Sequence, residues 1–143
     1  MSNNFFSIVM ADDDVEDLEL FEEAILDAKP CATIYKVRSG RGAIEFLMTR
    51  DDNELPFLII LDYNMPGMSG SQVLREISYV ERLQKIPKII LSTSNSKAHA
   101  LECLSDGAVD YLIKPDSIQG LKQVVAKMMT YYTRGQNSQS IGR

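Results

Sequence analysis

Five polar residues stand directly behind apolar runs. Asp12 and Asp13 follow Phe5 to Ala11, Asp62 follows Phe57 to Leu61, Ser92 follows Lys88 to Leu91, and Lys114 follows Ala108 to Ile113. Brought together, they would form three carboxylates, one hydroxyl and one ammonium. Carboxylates about 4 Å apart repel by about 4 kcal/mol per pair at an effective dielectric of about 20, so the three need a cation. An all-oxygen site with one or two direct carboxylates and open positions suits Mg²⁺, which keeps waters and shares its ligation with a phosphate. A lysine and a serine can each donate to a phosphoryl oxygen. These are the parts of a phosphoryl-transfer site in which Asp62 is the nucleophile. Blander accounts stand beside this one: Asp62 as a loop residue closing a strand, and Asp13 or Asp14 as a helix N-cap.

Whether the five meet depends on the elements that carry them. Phe57 to Leu61 is an uninterrupted apolar run after Pro56, as expected of a strand buried on both faces. Pro66, Gly67 and Gly70 then build a tight loop into the next helix. Phe5 to Ala11 reads as the first strand. Leu18, Phe21, Ile25 and Ala28, spaced by 3, 4 and 3, form a helical stripe that ends before Pro30. Thr33 to Val37 reads as an edge strand, and Ser39-Gly40 opens a helix through Ile44, Leu47 and Met48. Arg50 to Glu54 is a charged loop. Ser69 to Ser71 opens a helix with Val73, Leu74 and Ile77 inward, and Pro87 precedes a fourth strand. The next helix carries Ala100, Leu101 and Leu104 and closes near Gly107. Ala108 to Ile113 is a fifth strand. The last helix has Ile118, Leu121, Val125, Met128 and Tyr132 on one stripe.

Alternating strands and helices predict an α/β fold, a doubly wound five-stranded parallel sheet with helices on both faces. In such a sheet all strand carboxyl ends lie along one edge, where ligands bind. The five polar residues are therefore expected on one edge. Residues 1–133 read as one domain and 134–143 as a disordered tail.

Composition narrows the function classes. The 143 residues are 45% hydrophobic, enough for one ordinary core. No apolar run approaches the roughly 20 residues that cross a bilayer, and Met1 to Phe6 lacks the basic start of a signal peptide, so a soluble cytoplasmic protein with no membrane partner is expected. Cys31 and Cys103 show no pairing or metal-type spacing and read as reduced, partly buried thiols. With His99 as the single histidine, a histidine zinc site or a Ser/His triad has no partners. The net charge of −5 disfavours direct nucleic-acid binding. Acid is concentrated between Asp12 and Ala28, where nine Asp or Glu residues meet no base, while the remainder carries 15 bases against 11 acids.

These residues and motifs carry a resemblance. The acidic pair Asp12-Asp13, the stretch Leu-Asp-Tyr-Asn-Met-Pro-Gly-Met-Ser-Gly around Asp62, Ser92 after Ile-Ile-Leu, and Lys114-Pro115 after Gly-Ala-Val-Asp-Tyr-Leu-Ile resemble the receiver domain of two-component response regulators across Ser7 to Tyr132. The resemblance implies the flavodoxin-like strand order 2-1-3-4-5. It implies a domain that accepts a phosphoryl group on Asp62 from a sensor histidine kinase or phosphotransfer protein, and that is not an enzyme beyond weak self-dephosphorylation. Mg²⁺ would be held by Asp13, Asp62 and the backbone carbonyl of Asn64, with Asp12 acting largely through water. Ser92 and Tyr111 would be the switch pair, and Asn64 and Ser94 would flank the path of the hydrolytic water and tune phosphoryl lifetime.

Ser92 stands where Thr is commoner in the family, and Asp116 where Phe is frequent. The long Asp13 to Asp62 interval, with no output domain, is most similar to stand-alone regulators associated with phytochrome-type kinases. A phosphatase or mutase would want a second acid two residues after the nucleophile, where Asn64 stands. An FMN carrier would want a phosphate loop where Asp12 to Asp14 would repel one. An unphosphorylated binding module stays open. Signal output is expected through the face of the fourth helix, fifth strand and fifth helix. Met128, Met129, Tyr131 and Tyr132 offer either a homodimer surface on that face or a widened core stripe.

Overall fold

In the computed structural model the backbone is described for residues 6–141 and the side chains for 6–132. The elements alternate as β1 (Ser7–Ala11), α1 (Val15–Ala28), β2 (Thr33–Val37), α2 (Gly40–Thr49), β3 (Leu58–Asp62), α3 (Gly70–Ile77), β4 (Lys88–Ser92), α4 (Lys97–Ser105), β5 (Asp110–Ile113) and α5 (Ile118–Ile141). The strands form one parallel sheet in the order β2-β1-β3-β4-β5, as expected. The fifth strand starts later than the apolar run suggested, at Asp110, and the charged Arg50 to Glu54 stretch contains a 3-10 turn at Asp52–Glu54. Where a tail is expected, at 134–143, the backbone of α5 continues to Ile141, and the side chains of that stretch lie outside the described residues.

Side-chain alternation along the strands divides the core into two layers and decides what each strand end offers. Ile8, Met10, Leu58, Ile60, Ile89 and Leu91 face one side and pack against Leu18, Phe21 and Ile25 of α1 and Val125, Met128 and Tyr132 of α5. Val9, Ala11, Ile59, Leu61 and Ile90 face the other side, against Ala43 and Leu47 of α2, Val73, Leu74 and Ile77 of α3, and Cys103 of α4. Continued by one step, the first series arrives at Asp12, Asp62 and Lys114, and the second at Ser92. Tyr111 packs in the same layer as Ile90. The charged groups thus converge on the α1/α5 side, whereas Ser92 and Tyr111 lie toward α4.

Three expectations are corrected. Leu101 and Leu104 do not face inward: they are 67% and 45% exposed, and Cys103 is the buried residue of α4. The helix is rotated because its N-terminal end is held from below, with His99 stacked on the Tyr63 ring at 4.6 Å and Ser96 capping the His99 N–H. Ile118, at the first position of α5, is 75% exposed beyond the end of the sheet rather than part of the inward stripe. Cys31 is exposed and Cys103 fully buried, so the two thiols are not alike.

Met128, Met129 and Tyr132 are buried against the sheet, and the half-buried Tyr131 donates its hydroxyl to Asp110 Oδ2 at 2.7 Å. These side chains widen the core stripe.

Candidate functional site

The loop that carries Asp62 is built by glycine at two points. Gly67 has φ +81°, a conformation that L side chains rarely adopt. At Gly70 an added Cβ would stand 2.7 Å from the Asp62 backbone oxygen, and the Gly70 N–H donates to the Tyr63 carbonyl at 2.9 Å, folding the loop tightly back on the strand end. Ser69 and Gln72 then form a reciprocal capping box that starts α3.

On β1, Asp14 and not Asp13 is the N-cap of α1, its Oδ1 accepting from the N–H groups of Glu16 and Asp17 at 3.0 and 3.3 Å. Asp13 is thereby left free of a capping role and exposed to solvent. Asp12, buried, accepts from the Asp14 N–H through Oδ1 at 3.0 Å and from Lys114 Nζ through Oδ2 at 2.8 Å.

Asp12, Asp13 and Asp62 form a cluster in which one oxygen of each carboxylate lies within 4.8 Å of the others. Two of the three are buried and one is open to water. All are hard oxygen donors, and the set fits a hard divalent cation such as Mg²⁺ with positions to spare. Asn64 is exposed on the loop two residues beyond Asp62.

Burial, and next the charge of Asp12, push the Asp62 carboxyl up to about 6 against the pull of Lys114. Lys114 is enclosed by three carboxylates: Asp17 at 2.7 Å, Asp12 at 2.8 Å and Asp62 at 3.2 Å. Burial works against its charge, but the hydrogen bonds to Asp12 and Asp17 and the charge of Asp62 hold it well above the usual lysine range.

Ser92 is fully buried on β4, one residue beyond Leu91, the register partner of Asp62, and its Oγ accepts from the Ser94 N–H at 3.0 Å. Tyr111 donates its hydroxyl to the Ser94 carbonyl at 2.8 Å, so Ser92 and Tyr111 are linked through the β4–α4 loop. Asp12, Asp13, Asp62, Ser92 and Lys114 stand at the carboxyl ends of their strands, whereas Tyr111 lies within β5, in register with Ile90, and reaches the β4–α4 loop through its hydroxyl.

Three features went unread in the sequence. Asp17 is the nearest carboxylate to Lys114; with Asp14 as N-cap it occupies the third helical position, a placement the sequence could have shown. Tyr63, adjoining Asp62, donates to Glu102 of α4 at 2.9 Å, stacks on His99 and meets the edge of Tyr111 at 6.3 Å between centroids. Glu102 in turn faces Arg75 of α3 at 3.5 Å. No periodicity brings Tyr63 to Glu102 across 39 residues. The third feature, Lys88, is buried at the opposite end of the sheet.

A profile of the response regulator receiver domain matches residues 8–126, from the second residue of β1 into α5. The chain belongs to the response regulator receiver domain family. The two-component response regulator ARR8 of Arabidopsis thaliana is 30% identical to it over 139 residues, covering 87% of this chain and 61% of that protein. The probable methanogenesis regulatory protein FilR2 of Methanothrix harundinacea is 34% identical, covering 67% of this chain and 63% of that protein. This receiver domain thus spans about three fifths of the length of those curated relatives. Among solved structures, the phosphorylated cyanobacterial phytochrome response regulator RcpA superposes with a TM-score of 0.79 at 27% identity, covering 89% of this chain and 93% of that one. The Mn²⁺-bound response regulator Rcp1 superposes with a TM-score of 0.76 at 26% identity, covering 88% and 93%. The receiver fold and the likeness to phytochrome-associated regulators therefore agree with the sequence reading. Among the described residues no helix is long and apolar enough to cross a membrane.

Proposed function

We propose that this receiver domain takes a phosphoryl group onto Asp62 from a phosphohistidine of a sensor kinase or phosphotransfer protein, in the cytoplasm, and returns it slowly to water. The observation that carries the reading is the Asp12, Asp13 and Asp62 cluster with the Lys114 ammonium 3.2 Å from Asp62. An Asp62 carboxylate oxygen attacks phosphorus, the bond from phosphorus to the donor imidazole nitrogen breaks, and that nitrogen keeps the electron pair. Lys114 donates to a phosphoryl oxygen, and the Ser92 hydroxyl, now accepting from Ser94, can turn its proton to another. Asp13, Asp62 and the Asn64 backbone carbonyl would hold Mg²⁺, with Asp12 bound to it through water; bound there, the ion supplies neutralisation of the phosphoryl charge. Water then attacks phosphorus along a path flanked by Asn64 and Ser94, releasing inorganic phosphate and the carboxylate. RcpA described as phosphorylated and Rcp1 as Mn²⁺-bound, both over 25% identical to this chain, support the assignment.

Output would leave through α4, β5 and α5. Tyr63 and Tyr111 support this, because Tyr63 ties the Asp62 loop to Glu102 of α4 and Tyr111 ties β5 to the β4–α4 loop. Exposed Leu101 and Leu104, with Ile113, supply the apolar ground on that face for a partner or a second copy of the chain. Mass spectrometry after acetyl phosphate and Mg²⁺ tests the acceptor: the parent gains one phosphoryl group and Asp62→Asn gains none. Equal labelling of the two would remove Asp62 from the role. Light scattering with a phosphoryl mimic reads the dimer, and a monomer at tens of micromolar in both states removes it.

A further inference from the structure

An ammonium has three N–H donors; on Lys114 two are engaged in hydrogen bonds to Asp12 and Asp17, and the nitrogen also forms an ion pair with Asp62. The two short contacts, to Asp17 and Asp12, both come from the β1–α1 side, and the longest is the one to Asp62. With two donors pinned at 2.7 and 2.8 Å, the tetrahedral nitrogen can neither rotate nor translate freely, and it is held 3.2 Å from the acceptor aspartate with one N–H not taken by Asp12 or Asp17. Asp12 alone would not do this. One pinned donor leaves the ammonium free to turn about that bond.

Lys114 also borders a groove of ≈ 290 Å³, with Asp17, Leu20, Ile118 and Leu121 among its walls, into which a loosely held lysine could swing. Asp17, on the wall of that groove, holds the ammonium by the 2.7 Å hydrogen bond. It is itself held on the first turn of α1, where a carboxylate is favoured by the helix dipole. Asp17 stands outside the metal cluster of Asp12, Asp13 and Asp62.

We infer that Asp17 is a positioning residue for phosphoryl transfer, aiming the Lys114 ammonium at the phosphoryl group on Asp62. The inference rests on the function proposed above. As the new bond from Asp62 oxygen to phosphorus forms and the bond to the leaving group breaks, the remaining N–H of Lys114 donates to a phosphoryl oxygen. Asp12 and Asp17 keep the other two. A misdirected donor at this point weakens transition-state stabilisation while leaving the cation site as it was.

The test is the rate of labelling by acetyl phosphate at saturating Mg²⁺ and saturating donor, in a double-mutant cycle. Asp17→Ala should slow labelling several-fold with Mg²⁺ affinity unchanged by calorimetry, and Asp17→Asn, which keeps an acceptor oxygen, should recover most of the loss. In a Lys114→Ala background, Asp17→Ala should cost nothing further. A labelled parent whose Asp17→Ala variant keeps the parental rate, or loses as much with Lys114 absent as present, would overturn the inference and leave the proposed function standing. A variant merely weakened in α1 would melt earlier with Asn as well as with Ala and show no dependence on Lys114, which also overturns it. A parent that takes up no phosphate at all overturns both.

Discussion

Lys88 offers a perturbation whose size can be worked out, at the end of the sheet away from Asp62. Its residue is 7% exposed, and its ammonium donates to the backbone carbonyls of Leu83 at 2.6 Å and Gln84 at 3.3 Å. Burial pushes this lysine from the usual 10.5 down to about 8. That difference corresponds to about 3 kcal/mol of penalty on the charged form in the folded state. Below about pH 8 both folded and unfolded chains carry the proton, so the penalty is complete and independent of pH. Between about 8 and 10.5 the unfolded chain binds more protons than the folded one, and stability contributed by this group rises with pH by up to about 1.4 kcal/mol per unit.

Lys88→Met removes both the penalty and its titration, while leaving the two carbonyls short of a donor at a cost of about 1–3 kcal/mol. At neutral pH the opposing effects leave parent and variant similar in stability. By about pH 10.5 the parent should lead by roughly 3 kcal/mol more than at neutral pH. Urea denaturation of both proteins across this range reads the difference, which cancels tyrosine titration common to the two. A stability difference that stays constant with pH would refute the reasoning.

Tyr63→Phe removes the hydrogen bond to Glu102 but keeps the ring stack on His99, so amide exchange around Glu102 in α4 should quicken while Asp62 still labels; unchanged exchange would detach Tyr63 from output. Bulky or basic substitutions at Asn64 or Ser94 should change the self-dephosphorylation rate several-fold with little effect on Mg²⁺ affinity, read by loss of the phosphorylated mass with time. Gly70→Ala forces a Cβ to within 2.7 Å of the Asp62 carbonyl and should cost about 1–3 kcal/mol in chemical denaturation and slow labelling; an unperturbed variant would show that the loop has room to give.

The fold was legible because its signals are local. Apolar runs closed by Asp62, Ser92 and Lys114 mark parallel strands, and a parallel sheet puts their carboxyl ends on one edge whatever the details of packing. The identity of the cluster followed from side-chain type, since three carboxylates and an ammonium admit few chemistries. Local pattern was insufficient where several elements compete for one helix face. Leu101 and Leu104 have the spacing of a buried stripe, yet the Tyr63 stack on His99 turns α4 so that Cys103 enters the core.

The apolar end of α5 was equally undecided in sequence, because Met128, Met129 and Tyr132 suit a core or an interface until the sheet and α1 are seen to cover them. Only the tertiary structure shows that Lys114 meets Asp17 as well as Asp12 and Asp62, and that Tyr63 reaches Glu102. These contacts cross 97 and 39 residues, and a long-range ion pair or hydrogen bond leaves no period in the chain. The sequence by itself determined which groups reach the edge of the sheet. The packing of α1 and α4 against that edge decided which of them touch, because contact distance depends on helix rotation and not on the order of residues.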